Sequence, residues 1–331
     1  MKTRKLGSTG IDTGALGLGL MGMSGMYGPA EEAESIATIH AAVAAGVTLL
    51  DTGDFYGMGH NEMLLGRALK SLDRDRVQIS VKFGAQRGPD GSWLGYDARP
   101  AAVKTALAYS LNRLGVEYVD VYRPARLDPA VPIEETIGAI AEMVQAGYVR
   151  QIGLSEVGAE TIRRAHAVHP ISDLQIEYSL ISRGIESSVL PTVRELGIGV
   201  TAYGVLSRGL ISGHYKADRQ PAAGDFRGSA PRFQGENLNQ NLALVEELRV
   251  LAEARGVSVA QIAIAWVLAQ GEDIVPVVGS RRRDRLTEAL GALDVRLTAE
   301  DLEQIEKAVP KDAAAGDRYA AAQMASLDSE R

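Results

Sequence analysis

The chain has 331 residues, 46% hydrophobic and 23% charged, with a formal charge of −7 and a pI near 5.4. That length allows one large domain or two of average size, and an acidic surface of interspersed signs argues against nucleic acid or an anionic membrane as the main partner. Without cysteine there is neither a disulfide nor a thiolate metal site, a reducing compartment is the simple reading, and a small-molecule ligand is expected.

Lys2, Arg4 and Lys5 make the N-terminus basic, but a glycine-rich segment follows, and no apolar run approaches membrane-spanning length; a soluble, cytoplasmic protein is expected. Arg4 to Leu6, a turn at Gly7 to Gly10 and an extended piece from Ile11 predict a small hairpin leading into a first strand, Ala15 to Leu20. Gly17, Gly19 and Gly22 have the G-x-G-x-x-G spacing of a dinucleotide fingerprint. That fingerprint needs its last glycine at a helix N-terminus and an acid about twenty residues on. Met23 to Pro29 cannot open a helix, and Asp51 is too distant. A strand-to-helix loop lining a pocket is the preferred reading.

From Glu31 the chain alternates. Apolar spacing predicts a helix Ser35 to Ala45, a strand Val47 to Asp51, a helix Glu62 to Leu69, a strand Val77 to Lys82, a helix Pro100 to Leu114 and a strand Tyr118 to Tyr122. Next come a helix Pro132 to Gln145, a strand Val149 to Ser155, a helix Ala159 to Val168, a strand Asp173 to Glu177, a helix Val189 to Leu196 and a strand Gly199 to Tyr203. A long loop, Gly204 to Asn241, precedes helices Leu238 to Arg255 and Val259 to Ala269, a strand Ile274 to Gly279 and a helix Asp284 to Leu290. Eight strands each precede a helix, with no linker between units. The expectation is an α/β protein, a closed (β/α)8 TIM barrel forming one domain over 1–331, with an N-terminal β-hairpin, extra helices and long loops at the C-terminal face and a tail from about 310. A doubly wound open sheet would also alternate. Polar residues nevertheless gather at strand ends, at Asp51, Lys82, Ser155, Glu177, Tyr203 and Ser280, the face where a barrel carries its active site.

Asp51, Tyr56 and Lys82 form a possible proton-transfer set. Tyrosine is a weak acid, with an ordinary pKa of ~10; a neighbouring ammonium favours its anion, and a carboxylate would hold that ammonium in place. Taken singly, Asp51 reads as a turn cap, Tyr56 as a loop aromatic and Lys82 as a solvated strand end. Jointly they point to catalysis, because buried strands rarely end in charge without a partner.

The motifs Asp51-Thr52-Gly53-Asp54-Phe55-Tyr56-Gly57, Ile152-Gly153-Leu154-Ser155-Glu156 and Gly291-Ala292-Leu293-Asp294-Val295 resemble those of the aldo-keto reductases, over nearly the whole chain. The resemblance implies reduction of an aldehyde or ketone to an alcohol by hydride from NADPH, with Tyr56 as general acid assisted by Lys82 and Asp51. It implies cofactor contacts at Gly22 and Met23, at Ser155 and Gln175 for the carboxamide, and at Tyr203 for stacking. Leu206, Arg208 and Gly209 would lie over the pyrophosphate, and Gly279, Ser280, Arg285 and Glu288 on the adenosine-phosphate side. Arg281, Arg282 and Arg283 make that last segment strongly cationic, which suits a 2′-phosphate and reads equally as a solvated basic turn. Ala289 stands where the family has Asn.

The main departure lies in Tyr122-Arg123-Pro124-Ala125-Arg126-Leu127-Asp128-Pro129, where the family has His-Arg-x-Asp-Pro: Ala125 occupies the position of the fourth catalytic residue, a histidine. Arg123 is expected to supply a donor near the carbonyl oxygen, and His60 and His214 lie in loops that could reach the site mouth. Trp93, Arg123 and Ala125 are the candidate substrate-pocket residues, with the long loop and the Arg318-Tyr319 tail as further walls. Ala125 also keeps open a second reading, an NADP(H)-binding regulatory or redox-sensing subunit with little turnover. A metal-dependent hydrolase lacks clustered His and carboxylates at strand ends. A homo-oligomer is compatible with the sequence, which does not specify one.

Overall fold

The computed structural model describes residues 1–222 and 224–330. Eight parallel strands close into a barrel: β1 (Gly17–Gly19), β2 (Leu49–Gly53), β3 (Gln78–Phe83), β4 (Val119–Pro124), β5 (Val149–Ser155), β6 (Ile171–Glu177), β7 (Gly199–Tyr203) and β8 (Ile274–Gly279). Each pairs with its successor, and β8 pairs with β1 through Val277 opposite Gly17 and Gly279 opposite Gly19. Strands wrapped in helices are buried on both faces, so they read as apolar runs; β2, β4 and β6 are buried at every position.

The outer layer contains α1 (Glu32–Ala44), α2 (His60–Leu69), α3 (Pro100–Leu114), α4 (Ile133–Gln145), α5 (Ala159–Val168), α6 (Val189–Glu195), α7 (Gly235–Ala254), α8 (Val259–Ala269) and α9 (Arg283–Leu290). Two more follow, α10 (Ala299–Ala308) and a one-turn α11 (Ala321–Met324). Helix α3 opens on a proline, where its missing N–H is no loss, and stops at Gly115 in a left-handed conformation, φ 68. Helix α8 opens on a capping box between Ser258 and Gln261. Among the described residues no single helix is long and apolar enough to cross a membrane.

The N-terminal hairpin, Thr3–Lys5 with Asp12–Gly14, stoppers one end of the barrel. Leu6, at its turn, is fully buried with Leu49, Val275 and Val277. Gly7 permits the close approach: its φ is +68, and a Cβ there would lie 2.4 Å from the carbonyl oxygen of Ser172. The C-terminal end of the barrel is therefore the end left for a ligand.

The first strand is shorter than predicted, because after Gly19 the chain turns into a 3-10 segment, Met21–Ser24, instead of a helix. The G-x-G-x-x-G spacing is thus no dinucleotide fingerprint in this fold. The segment around Trp93 is a hairpin, Ala85–Arg87 with Trp93–Tyr96, and the long loop resolves into short 3-10 turns at Ser207–Ser212, Phe226–Ser229 and Pro231–Phe233.

Candidate active site

Strands β2 and β3 pair with Gly53 opposite Lys82, bringing Asp51 and Lys82 to the same rim. The Lys82 ammonium donates to Asp51 Oδ1 and, at 2.8 Å, to Gln175 Oε1 of β6. Gln175 Nε2 and Ser80 Oγ donate to Asp51 Oδ2 at 2.7 and 2.9 Å. Both charges are buried, at 4% exposure each. A buried ion pair survives only when its remaining hydrogen-bonding capacity is met, which Gln175 and Ser80 do here. In this arrangement the Gln175 amide is committed to the pair.

Tyr56 lies beside this pair, with the Lys82 nitrogen 5.2 Å from its ring centroid and Phe55 packed edge-on at 4.7 Å. The turn that carries it is pinned by buried Asn61, which no motif in the sequence marks. Asn61 accepts from Thr52 Oγ1 at 2.7 Å and donates to Leu20 O at 2.9 Å and Ser24 Oγ at 2.7 Å, tying together β2, the segment after β1 and α2. Burial, followed by the Asp51 carboxylate, pushes the Tyr56 phenol well above its usual value. This reverses the expected effect of Lys82, because Asp51 already neutralises the ammonium. Burial lowers the Lys82 pKa in turn, with Asp51 opposing the shift.

Arg123 requires a correction. Its side chain is fully buried, donating to Asp173 Oδ2 at 2.8 Å and Ser80 Oγ at 3.1 Å; Thr201 Oγ1 also reaches Asp173 at 2.6 Å. Arg123 lies within β4, two residues before Ala125, which stands just past the strand end, so it braces the barrel interior instead of facing substrate. Arg126 stands at the rim, contacting Ser155 Oγ at 3.4 Å and Tyr319 Oη at 3.4 Å. The two histidines considered as replacements are engaged elsewhere, His60 with Ser24 at 2.9 Å and His214 with Glu288 at 2.9 Å.

The tail forms a wall. Arg318 is buried against Glu156 Oε2 at 2.9 Å and Glu177 Oε2 at 3.3 Å, and Arg208 also reaches Glu177, at 3.0 Å. Glu156 has a positive φ of 52, and burial would raise its pKa, but Arg318, together with Arg126 and the Tyr203 hydrogen bond, outweighs this and holds the carboxyl well below its usual range. Tyr203 donates to Glu156 at 2.6 Å and meets Tyr319 Oη at 2.9 Å. Trp93 is 47% exposed, with the Arg87 guanidinium over its ring and Tyr96 edge-on to it on the same hairpin.

The remaining cofactor candidates are distributed around this rim. Gly22 and Met23 lie in the 3-10 segment after β1, and Leu206, Arg208 and Gly209 in the loop after β7. Ser207 Oγ and Arg208 Nη1 are buried without a hydrogen-bond partner, a donor pair suited to an anion such as a cofactor phosphate. Gly279 ends β8, and Ser280 Oγ donates to Arg282 O at 2.9 Å. Arg285 pairs with Glu288 at 3.0 Å and with His214. Arg282 and Arg283 pair with Asp284 and Glu34, while Arg281 donates to the carbonyls of Gly28 and Pro29. Burial, then Arg227 and Arg219, lower the Arg281 pKa; nothing in the sequence around these two loop arginines points to the site.

An eight-stranded parallel barrel with Asp, Tyr and Lys at its C-terminal rim is accompanied by a match of residues 15–310 to the Aldo/keto reductase family. The chain belongs to that family. It is 44% identical over 318 residues to "Probable aldo-keto reductase 1" of Glycine max, covering 95% of this chain and 91% of that protein. Among solved structures it is similar to the glycerol dehydrogenase AKR11B4 of Gluconobacter oxydans, with TM-score 0.84 and 29% identity over 92% of this chain and 94% of that one. It is also similar to the aldo-keto reductase AKR11C1 of Bacillus halodurans in its holo form, with TM-score 0.76 and 28% identity over 93% and 96%. Aldo-keto reductases are oxidoreductases that reduce small carbonyl compounds and generally use NAD(P)H.

Proposed function

We propose that this aldo-keto reductase reduces an aldehyde or ketone with NADPH, using Tyr56 as proton donor. The observation that carries the reading is the buried Lys82–Asp51 pair beside the Tyr56 ring. The cofactor, when bound, supplies the hydride. Tyr56 keeps its proton at neutral pH, because burial and Asp51 disfavour the phenolate, and so meets the carbonyl oxygen as an acid. Lys82, fixed by Asp51 and Gln175, stays beside the Tyr56 ring, and with its charge matched by Asp51 it does little to draw the proton off before the oxygen does.

Ser155 and Tyr203 would orient the nicotinamide, with Ser207 and Arg208 on the pyrophosphate. Gly279, Ser280, Arg285 and Glu288 would hold the adenosine phosphate. Arg285 already pairs with Glu288 and His214, so a 2′-phosphate would have to enter or replace that pairing. The arginine-rich segment after β8 favours NADPH over NADH.

Ala125 removes one polarising donor, so turnover is expected to be slower by about a hundredfold than with such a donor in place. The test is oxidation of NADPH, beside NADH, across aromatic, aliphatic and dicarbonyl compounds. Tyr56→Phe should lower kcat by about 100-fold to 10,000-fold while leaving NADPH affinity unchanged. Equal rates in the two proteins would refute the role of Tyr56. Tight NADPH binding without turnover of any compound would favour the regulatory-subunit reading that Ala125 allows.

A further inference from the structure

We propose that Arg126 is the anion-binding residue of the substrate pocket, and that the carbonyl compound reduced here carries a carboxylate. This rests on the reading of the reductase site given above. Four guanidinium groups converge on the rim around Tyr203 and the tail. Arg208 and Arg232 pair with Glu177 at 3.0 and 3.7 Å, and Arg318 pairs with Glu156 at 2.9 Å. Arg126 alone of the four has no carboxylate within ion-pair distance among the described residues. Its Nη1 donates to Ala125 O at 2.6 Å and Ser155 Oγ at 3.4 Å, and its Nη2 reaches Tyr319 Oη at 3.4 Å. All three acceptors are neutral.

A guanidinium cannot shed its proton to escape an unfavourable environment, so withdrawing it from water without a counter-charge is costly. The chain sets a carboxylate against each of the other three, whereas Arg126 has only Glu156 acting on it from beyond ion-pair distance, beside the hydroxyls of Tyr203 and Tyr319. A ligand anion would complete the site. Position is the second argument. Arg126 directly follows Ala125, lies against Ser155 at the end of β5, and through Tyr319 reaches Tyr203 at the end of β7. It also lies near enough to Tyr56 and Lys82 to act on both electrostatically. An anion held by Arg126 therefore belongs to a molecule whose carbonyl is presented to Tyr56. The planar guanidinium fork suits a carboxylate. The class indicated is an oxo acid or semialdehyde, whose carbonyl takes the hydride and a proton to become the alcohol while the carboxylate is unchanged.

The experiment compares matched substrates in the wild type, Arg126→Gln and Arg126→Lys: 4-oxobutanoate and 4-carboxybenzaldehyde, each beside its methyl ester. The wild type should prefer the acids by about tenfold or more in kcat/KM. Arg126→Gln should raise KM for the acids by about 10-fold to 100-fold, the loss of one charge-assisted pair, with a far smaller effect on the esters. Arg126→Lys should restore part of the preference. NADPH binding, read by quenching of protein fluorescence, should not change, which separates a substrate effect from damage to the fold. Acids and esters falling together through kcat would assign Arg126 to the carbonyl oxygen and overturn the inference, as would a wild-type preference for esters; in both cases the reductase reading stands. Absence of turnover on all four compounds and across the carbonyl panel would overturn both.

Discussion

Replacing Arg318 with methionine removes the cation that the two most buried rim carboxylates share, and its cost can be worked from the contacts. Glu177 keeps Arg208 at 3.0 Å and Arg232 at 3.7 Å. Glu156 loses its bidentate partner and retains hydrogen bonds from Tyr203 Oη at 2.6 Å, Ser329 Oγ at 2.7 Å and the Glu177 amide at 3.0 Å. Breaking one side of a buried pair costs about 3–5 kcal/mol. The surviving donors place this case near the lower end, at about 3 kcal/mol. For 331 residues unfolding together, with ~2 cal/mol/K of unfolding entropy per residue, that corresponds to a Tm lower by about 4 °C.

The sign of the pH dependence makes the prediction specific. In the wild type Glu156 is held below its usual range, so it contributes stability above the ordinary carboxylate pKa and loses it only in strong acid. Without Arg318, burial raises the same group, and the penalty is present above the carboxylate range and relieved as the group protonates. The deficit of Arg318→Met should therefore be larger at pH 8 than at pH 4.5. Thermal melts of the wild type, Arg318→Met, Glu156→Gln and the double variant at both pH values form the assay. The double variant should be more stable than Arg318→Met at pH 8, with a coupling of about 2 kcal/mol. Additive effects, or a deficit independent of pH, would refute the account of the tail as a charge-matched wall.

Asp54, in the turn that carries Tyr56, is pushed up to about 7 by burial and then by Glu62, so its ionisation destabilises the fold progressively as pH rises from the unfolded value of 3.8 to about 7. Asp54→Asn should accordingly be more stable than the wild type by about 2–4 kcal/mol at pH 8 and equal to it near pH 4 in denaturant melts; a gain independent of pH would exclude this origin. Ala125→His should raise kcat for neutral carbonyls by about tenfold to a hundredfold if a polarising donor is the missing element; steady-state rates unchanged in a variant that still binds NADPH would show that this donor is not limiting.

Much of the architecture was legible because its signals are local. Strands β5, β7 and β8, and helices α3, α5 and α8, carry their own punctuation or apolar runs and fall on the predicted bounds. Helix α10 was missed although Thr298 and Asp301 write its capping box into the sequence. The Trp93 hairpin was hidden because its paired segments are only three and four residues long. The joint placement of Asp51 and Lys82 followed from strand ends alone, since parallel register brings equivalent ends together. Depth along the barrel axis did not follow, and Arg123 was therefore assigned to the pocket when it belongs to the layer beneath. The tail contacts are beyond local reading: Arg318 meets Glu156 across 162 positions of sequence, and neither residue's neighbours announce the partner.

The charges at the rim also explain which task suits Tyr56. Lys82 is matched by Asp51, Arg318 by Glu156, and Arg208 and Arg232 by Glu177, so the phenol faces pairs, and pairs do little to favour its anion. Burial then dominates and keeps the proton in place. Such a tyrosine is well prepared to donate when negative charge develops on a nearby oxygen, and poorly prepared to accept at rest. Arg126 is the rim cation that this matching leaves over. An anionic substrate seated on it would complete the pairing and leave the Tyr56 proton more firmly held, until the oxygen beside it begins to draw that proton away.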